Sequence, residues 1–121
     1  MRELTKAQEE IMQLIWGLER CTVGDIREEI KKRTGEKPPH STVSAVVLTL
    51  DKLGFLKHET YGRTFVYEPV VSKSQYGDKS LKKILGKYFG NSPQKMVTHL
   101  IKKEDLSLKE IDDLMKKLKE E

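Results

Sequence analysis

The chain has 121 residues, 36% of them hydrophobic and 35% charged, with a formal net charge of +4; this length suits one domain, or a small domain with an appendage, with a modest core. The positive charge permits a nucleic-acid partner without requiring one, because residues 1–69 carry 11 basic and 11 acidic side chains and the excess lies beyond them. The single cysteine, Cys21, excludes an internal disulfide and a thiolate-rich metal site, and the lack of a long apolar run leads us to expect a cytoplasmic protein with no membrane insertion.

The first predicted helix begins near Thr5. Thr5 and Gln8 have the spacing of a capping box, and the apolar residues that follow keep helical spacing to about Leu18. Trp16 lies beside this apolar stripe, which favours a core position over a ligand role.

The second helix is predicted between Thr22, which can cap its start together with Asp25, and Gly35, which ends it. The basic run 31–33 lies in its last turn. There the cations complement the helix dipole, or they contact a phosphate, and the sequence supports these two interpretations equally.

Residues 42–53 predict a third helix with two unlike faces. Helical spacing predicts a buried face made of Val43, Val46, Val47 and Leu50. The opposite face carries Ser41, Ala45, Leu48 and Lys52, with Ser44 and Thr49 on its flanks. Because most of these side chains are short and uncharged, the helix can lie close to another surface, such as the major groove of DNA. A half-buried helix with an ordinary solvent face explains this stretch alone equally well.

The segment before this helix, residues 37–40, contains two prolines. Each fixes its own φ and disfavours the α region for the residue before it, so the segment is predicted to be extended, with His40 in a loop. Ser41 or Thr42 is then the expected N-cap of the third helix, and Gly54 is its expected stop.

A hairpin is predicted after Gly54, where the pattern of the sequence changes. Residues 55–59 and 64–68 are rich in β-forming side chains and are joined by residues 60–63. An isolated hairpin is only marginally stable in water. Phe65 and Tyr67, or Leu56 opposite them, are therefore expected to pack on the helices.

Three helices followed by a hairpin form the winged helix-turn-helix plan, in which the third helix enters the major groove and the hairpin, or wing, rests on the DNA backbone. Arg63 lies at the tip of the wing. It is the expected contact to a phosphate or to the minor groove.

Three more amphipathic helices are predicted after Pro69, opened by Ser72, Ser92 and Ser107. Their apolar stripes have little else in the chain to bury against, since about 50 residues enclose a core poorly. A second copy, in a C₂ dimer, would cover them; folding back on the N-terminal part is the alternative. The predicted dimerisation residues are Leu81, Leu85, Tyr88, Phe89, Val97, Leu100, Ile101, Ile111, Leu114, Met115 and Leu118.

The predicted fold is therefore mainly α with a small β-hairpin. Residues 1–70 form a winged-helix DNA-binding domain, and residues 71–121 form a three-helix dimerisation domain. An enzyme is not expected, because His40, His58 and His99 have no carboxylate or cysteine at ligand or triad spacing and the chain lacks a glycine-rich phosphate loop. No cofactor and no metal are expected.

The wing segment Gly62-Arg63-Thr64-Phe65-Val66-Tyr67-Glu68-Pro69 resembles that of the penicillinase and methicillin-resistance repressors, a winged-helix family that also includes copper-responsive repressors. The likeness runs through nearly the whole chain. It includes Ile11-Met12-Gln13-Leu14-Ile15-Trp16, Thr42-Val43 with Leu48 and Leu50, Lys52-Leu53-Gly54, Tyr76, Met96-Val97 and Asp105-Leu106-Ser107.

The resemblance implies a homodimeric repressor that binds an inverted-repeat operator in double-stranded DNA. The base-reading positions of the family correspond to Ser41, Thr42, Ser44 and Ala45, with Thr49 as a further contact. With His40 and Lys52 at the ends of the third helix and Arg63 on the wing, these complete the predicted DNA-binding set. The family often has longer polar or basic side chains at positions 44 and 49, which make bidentate contacts to purines. Here readout is expected to depend on hydroxyl groups, a thymine methyl contact from Ala45, water and DNA shape.

Induction departs from the family pattern. The resemblance implies a membrane sensor-protease, or its downstream protease, as a partner, because antibiotic-sensing members are cleaved at an Asn-Phe bond in the dimerisation helices. The corresponding pair here is His99-Leu100, so cleavage with the same specificity is not expected. Copper-sensing members carry a C-terminal cysteine cluster, and this chain has none.

A winged-helix module that binds other proteins and not DNA is the alternative function. The neutral charge of residues 1–69 and the short side chains of the third helix are its support. Saturable DNA binding that weakens with salt would separate the two.

Overall fold

The structure is a computed structural model that describes residues 1–103 and 107–120. Its elements in chain order are α1 (Lys6–Leu18), α2 (Val23–Thr34), α3 (His40–Lys52), β1 (Leu56–Tyr61), β2 (Thr64–Pro69), α4 (Lys73–Tyr88), α5 (Pro93–Lys103) and α6 (Leu108–Glu120). The mainly helical fold with a small hairpin is as predicted. The chain divides into two compact units, Met1–Gly77 and the part from Asp78 onward.

The first two helices begin where their capping residues predict. The Thr5 hydroxyl accepts a hydrogen bond from the backbone N–H of Gln8, whose side chain accepts one from the Thr5 N–H. Thr22 and Asp25 make the same reciprocal pair at the start of α2. Gly35 ends α2 with φ at 85°, a left-handed conformation that glycine adopts without strain.

The start of α3 differs from the prediction. The helix begins at His40, so His40 is not in a loop, and the N-cap is Pro39, not Ser41 or Thr42. The Pro39 carbonyl accepts from the N–H groups of Thr42 and Val43, at 3.2 and 3.4 Å. Because the proline ring holds φ near its value at a helix start, Pro39 begins the helix without a side-chain cap.

The core of the first unit lies between its three helices and the hairpin. The most deeply buried side chains are Met12, Ile15, Cys21, Ile26, Val47, Leu50 and Phe55. Val43 is also buried and Val46 packs at the edge of the core, so the predicted inner face of α3 is confirmed. Trp16 is half-buried against this core, and its indole N–H donates to the Val71 carbonyl at 2.9 Å.

The hairpin packs on the helices through only part of the predicted set. Leu56 and Tyr67 are buried, whereas Phe65 is 43% exposed and its prediction as a packing residue is wrong. Cys21 forms an isolated antiparallel β-bridge with the hairpin, since its N–H and carbonyl bond to the carbonyl and N–H of Tyr67. Burial, and then the charge of Asp25, raise the pKa of the Cys21 thiol to about 11.

The second unit contains most of α4, together with α5 and α6. The predicted hydroxyl caps are present: Ser92 accepts from the N–H of Lys95, and Ser107 from that of Glu110. In the described residues, no helix combines the length and apolar composition that crossing a membrane requires.

Candidate nucleic-acid interface

The outer face of α3 presents short side chains to solvent. Ser41, Thr42, Ala45 and Thr49 are exposed, and Ser44 is half-buried. The ends of the helix add the exposed His40 and Lys52. These predicted residues therefore share one accessible surface. The opposite face of α3 is buried in the core and fixes the orientation of the helix.

The hydroxyls on this face differ in their availability. Thr49 donates its hydroxyl hydrogen to the Ala45 carbonyl at 3.0 Å, one turn back along the helix. Ser41 and Thr42 have no such bond within the described residues, because the helix does not use them as caps. Their hydroxyls remain able both to donate and to accept.

A groove of about 410 Å³, here called the α3–wing groove, runs beside this face. It is lined by Thr22, Val23 and Gly24 from the start of α2, by His40, Ser44 and Leu48 from α3, and by Arg63, Thr64, Phe65 and Tyr67 from the wing. The structure thus brings Arg63 to the same groove as two of the predicted α3 residues.

The turn of the wing is tight. The strands pair from Leu56 with Pro69 to Tyr61 with Thr64, so only Gly62 and Arg63 form the tip. Gly62 has φ at 62°, which glycine tolerates best. Arg63 is exposed and has no ion-pair partner in the part of the chain that the structure describes.

The lead-in to α3 is fixed to α2. The Arg27 guanidinium donates to the Pro38 carbonyl at 2.9 Å. Lys37 pairs with Glu28 and thereby lowers the pKa of that carboxyl group. With the stiffness of the two prolines, these contacts hold the direction in which α3 begins.

The sequence profile of the penicillinase repressors matches residues 4–120. The chain belongs to the penicillinase repressor family. It is a DNA-binding transcriptional repressor of the winged-helix type, and the family is one of repressors, not of enzymes.

Two relatives match the repressor along nearly its whole length. The penicillinase repressor of Bacillus licheniformis is 28% identical over 118 residues, which are 98% of this chain and 91% of that protein. The methicillin resistance regulatory protein MecI of Staphylococcus aureus strain N315 is 29% identical over 112 residues, 93% of this chain and 89% of that protein.

Two solved structures share the fold of the repressor. The solution structure of the DNA-binding domain of the repressor BlaI superposes with a TM-score of 0.52 at 29% identity, covering 63% of this chain and 94% of that domain. RosR of H. salinarum superposes with a TM-score of 0.56 at 22% identity, covering 86% of this chain and 94% of that protein. At 22% identity, the likeness to RosR shows a shared fold and nothing more.

Sequence analysis missed two features around α3 and the wing: the groove that Leu48 and Phe65 line, and a contact between Asp51 and His58. Leu48 and Phe65 are both 43% exposed in this groove; alternation along the wing could have placed Phe65 on this face. Asp51 in the last turn of α3 bonds His58 of the wing at 2.6 Å. An acidic residue at a helix C-terminus opposes the helix dipole, and this was a signal that it needs a partner.

Metal-ligating clusters are absent from the described residues of the repressor: no three His, Cys, Asp or Glu side chains come together there. Asp51 and His58 make a pair and not a ligand set. His40 and His99 lie on different elements, α3 and α5.

The predicted dimerisation residues of α4 and α5 are largely uncovered in the single chain. Leu81, Tyr88, Val97 and Leu100 are exposed, as is the neighbouring Ile84. Leu85 of α4, Phe89 just after it and Ile101 of α5 are half-buried, as is Ile111 of α6. The side chains of Leu114, Met115 and Leu118 lie outside the described residues.

Proposed function

We propose that the repressor binds an inverted-repeat operator as a homodimer, with α3 of each subunit in the major groove and each wing on the DNA backbone. In this arrangement residues 1–70 form the winged-helix DNA-binding domain, and residues 71–121 form the dimerisation domain. The site of action is the cytoplasm, where a repressor meets its operator.

The observation that carries the proposal is the exposed outer face of α3 beside the α3–wing groove. Ser41, Thr42 and Ala45 are small enough for the helix backbone to approach the base edges closely. The N–H groups of His40 and Ser41 in the first turn of α3 have no side-chain cap, so a phosphate oxygen can accept from them, as anions do at helix N-termini. Arg63 reaches the same groove from the wing.

Readout by this face follows from its chemistry. The hydroxyls of Ser41 and Thr42 can donate to or accept from base edges, and the methyl group of Ala45 can contact that of thymine. None of these residues makes a bidentate purine contact. A share of the specificity therefore comes from water-mediated contacts and from the shape of the DNA.

Dimerisation is supported by the apolar face of the second unit. Leu81 and Tyr88 on α4, and Val97 and Leu100 on α5, leave much of their surface in water in the single chain. Covering them with a second copy removes apolar area from water, at roughly 25 cal/mol per Å². A C₂ dimer also matches the two-fold symmetry of an inverted repeat.

A sensor-protease, or its downstream protease, is retained as a proposed partner for induction. The bond between His99 and Leu100 lies inside α5, and the His99 ring packs edge-on against Phe89 at 5.5 Å. Cleavage there would require local unwinding of α5. Mass spectrometry of the repressor recovered from induced cells tests this: intact chain throughout induction would remove the protease from the proposal.

The experiment that tests the function combines two measurements. Purified repressor selects bound fragments from its source genome, and fluorescence anisotropy then measures binding to the enriched duplex at several salt concentrations. We expect an inverted repeat, saturation at one dimer per site and affinity that falls with salt. Absence of an enriched sequence, or binding no tighter than to a scrambled duplex, would refute specific operator recognition.

A further inference from the structure

The last turn of α3 carries an acidic residue where electrostatics disfavour one. Asp51 lies at the C-terminal end of the helix, where the helix dipole repels a carboxylate. Its side chain is only 22% exposed, so water does not fully solvate the charge. A carboxylate in this place needs a partner from elsewhere in the fold.

That partner is His58 on β1 of the wing. The Nδ1 of His58 lies 2.6 Å from the Asp51 Oδ2. Because an ionised carboxylate only accepts hydrogen bonds, Nδ1 carries the proton and donates. A bond this short to an ionised group is of the stronger, charge-assisted kind.

The imidazole of His58 is also held by the second strand of the wing. Its ring stacks on Phe65 with centroids 4.8 Å apart and lies 5.8 Å from the ring of its cross-strand partner Tyr67. Burial, and then the charge of Asp51, raise the pKa of Tyr67. His58 therefore links α3 to both strands of the hairpin.

The opposite face of the wing has its own support. Arg20, just after α1, donates to the Tyr61 hydroxyl and lies over its ring, and it pairs with Glu59 at 3.6 Å. Tyr61 in turn donates to Glu59. Among these two supports, only the Asp51–His58 contact joins the wing to α3 itself.

We propose that Asp51 and His58 are a positioning pair that fixes the wing against α3 and thereby sets where Arg63 meets the DNA. The inference rests on the proposed function, since it assumes that the wing binds the backbone. Neither residue of the pair contacts DNA. Their bond makes α3 and the wing tip act as one rigid reading surface, so the affinity gained at Arg63 depends on a contact midway along the hairpin.

For a variant without the Asp51 carboxylate, the change of charge and the loss of positioning predict opposite changes in DNA affinity. Removing the Asp51 carboxylate takes a negative charge from the DNA-binding unit, which by itself strengthens binding to a polyanion. Loss of positioning weakens binding through the wing. Asp51→Asn therefore separates the two effects, and Glu29→Gln on α2, which removes the same charge beside Lys32 and Arg33, is the matched control.

The first test needs no DNA. Amide hydrogen exchange of the β1 and β2 residues is measured by NMR in Asp51→Asn, His58→Phe and the double variant; His58→Phe keeps an aromatic ring to stack on Phe65. We expect exchange of the hairpin amides to rise about tenfold in each single variant and no further in the double variant, as loss of one charged hydrogen bond predicts. Glu29→Gln leaves it unchanged. Unaltered exchange of the hairpin amides in Asp51→Asn would overturn the proposal that the Asp51–His58 contact fixes the wing.

The second test measures coupling to the wing tip. Arg63→Ala is made in the wild-type and in the Asp51→Asn background, and affinity for the selected operator is compared. We expect the weakening by Arg63→Ala to shrink at least threefold when Asp51 is absent, and to stay the same with Glu29→Gln. Equal losses in both backgrounds would overturn the positioning role. A silent Arg63→Ala in the wild type would instead refute the wing contact, and the exchange result would still decide whether the pair holds the hairpin.

Discussion

The hydroxyl of Tyr76 accepts a hydrogen bond from the backbone N–H of Leu4 at 2.9 Å, across 72 positions of sequence. Both residues are buried. The Tyr76 ring also packs on Trp16 and Phe55, with centroids 5.9 and 5.8 Å apart. The first turn of α4 is thereby tied to the segment before α1 and to the core of the winged helix.

Tyr76→Phe removes only this hydroxyl and leaves the ring in place. The buried N–H of Leu4 then has no acceptor, so we expect the free energy of unfolding to fall by about 1–3 kcal/mol in urea titrations. Ser74→Ala on the same helix is the control, because Ser74 is exposed and lies outside the predicted dimer interface, and it should change stability by less than about 0.5 kcal/mol. Similar losses in the two variants would mean that the Leu4 bond contributes nothing.

Local signals made much of this fold predictable. The capping pairs at Thr5 and Thr22 each involve residues three positions apart, so the sequence alone contains both partners. The buried face of α3 follows from helical spacing, which depends on the geometry of one helix and not on its neighbours. The winged-helix order of elements followed from these local readings.

Features decided by a competition between caps, or by contacts between one element and the next, were not predictable. The start of α3 at His40 depends on the carbonyl of Pro39, which competes with the more usual hydroxyl cap. The contact between Asp51 and His58 requires the wing to fold back on α3, and nothing in either residue's neighbourhood specifies that approach. Phe65 stays exposed because His58, not the helical core, covers one face of its ring.

Alkaline pH should destabilise the repressor in part through Cys21. Its pKa is raised from an ordinary value of 9.0 to about 11 in the folded protein, so between these values the unfolded chain loses the proton while the folded chain keeps it. The stability that the Cys21 thiol contributes is fully present below pH 9 and is lost as the pH rises towards 11. At pH 10 the loss from this group is about 1.4 kcal/mol.

Chemical denaturation of wild type and Cys21→Ala from pH 8 to pH 10.5 measures this contribution. The alanine variant is less stable at every pH because it lacks a buried side chain, so the slopes are compared and not the values. We expect a shallower decline in the variant. Parallel curves would show that the thiol is solvated well enough to ionise in the folded state.

The two threonines of the α3 outer face should differ in their effect on specificity. Thr42 has a hydroxyl with no bond inside the described chain, whereas Thr49 donates to the Ala45 carbonyl. We expect Thr42→Ala to weaken operator binding by about 1 kcal/mol at each half-site, or about 30-fold for the dimer, and to leave non-specific DNA binding unchanged. Thr49→Ala should cost less than about twofold. Anisotropy with the selected operator and a scrambled duplex measures both, and a larger effect from Thr49 would place the other end of α3 on the bases.

Arg63→Ala should weaken binding to every duplex alike, because a phosphate contact carries no sequence information. A dimer loses two such contacts, so the slope of log affinity against log salt should become shallower by about 2. Lys116→Ala on α6 removes the same charge from a side chain paired with Asp112 and should leave the slope unchanged. An unaltered slope with Arg63→Ala would put the wing off the DNA.

Leu100→Glu should separate the subunits, since it places a carboxylate on the apolar face of α5 that the proposed dimer buries. We expect monomers in sedimentation velocity and operator affinity reduced about 100-fold, because the second half-site no longer benefits from the linked subunit. Lys102→Glu also adds a carboxylate to α5, in its exposed last turn, and should remain dimeric. Helix content by circular dichroism must be equal in the two variants, so that the loss reflects the interface and not the folding of α5. If the Leu100→Glu variant remained dimeric, the interface would lie on another face of the protein. The exposed apolar side chains of α4 and α5 would then have no explanation.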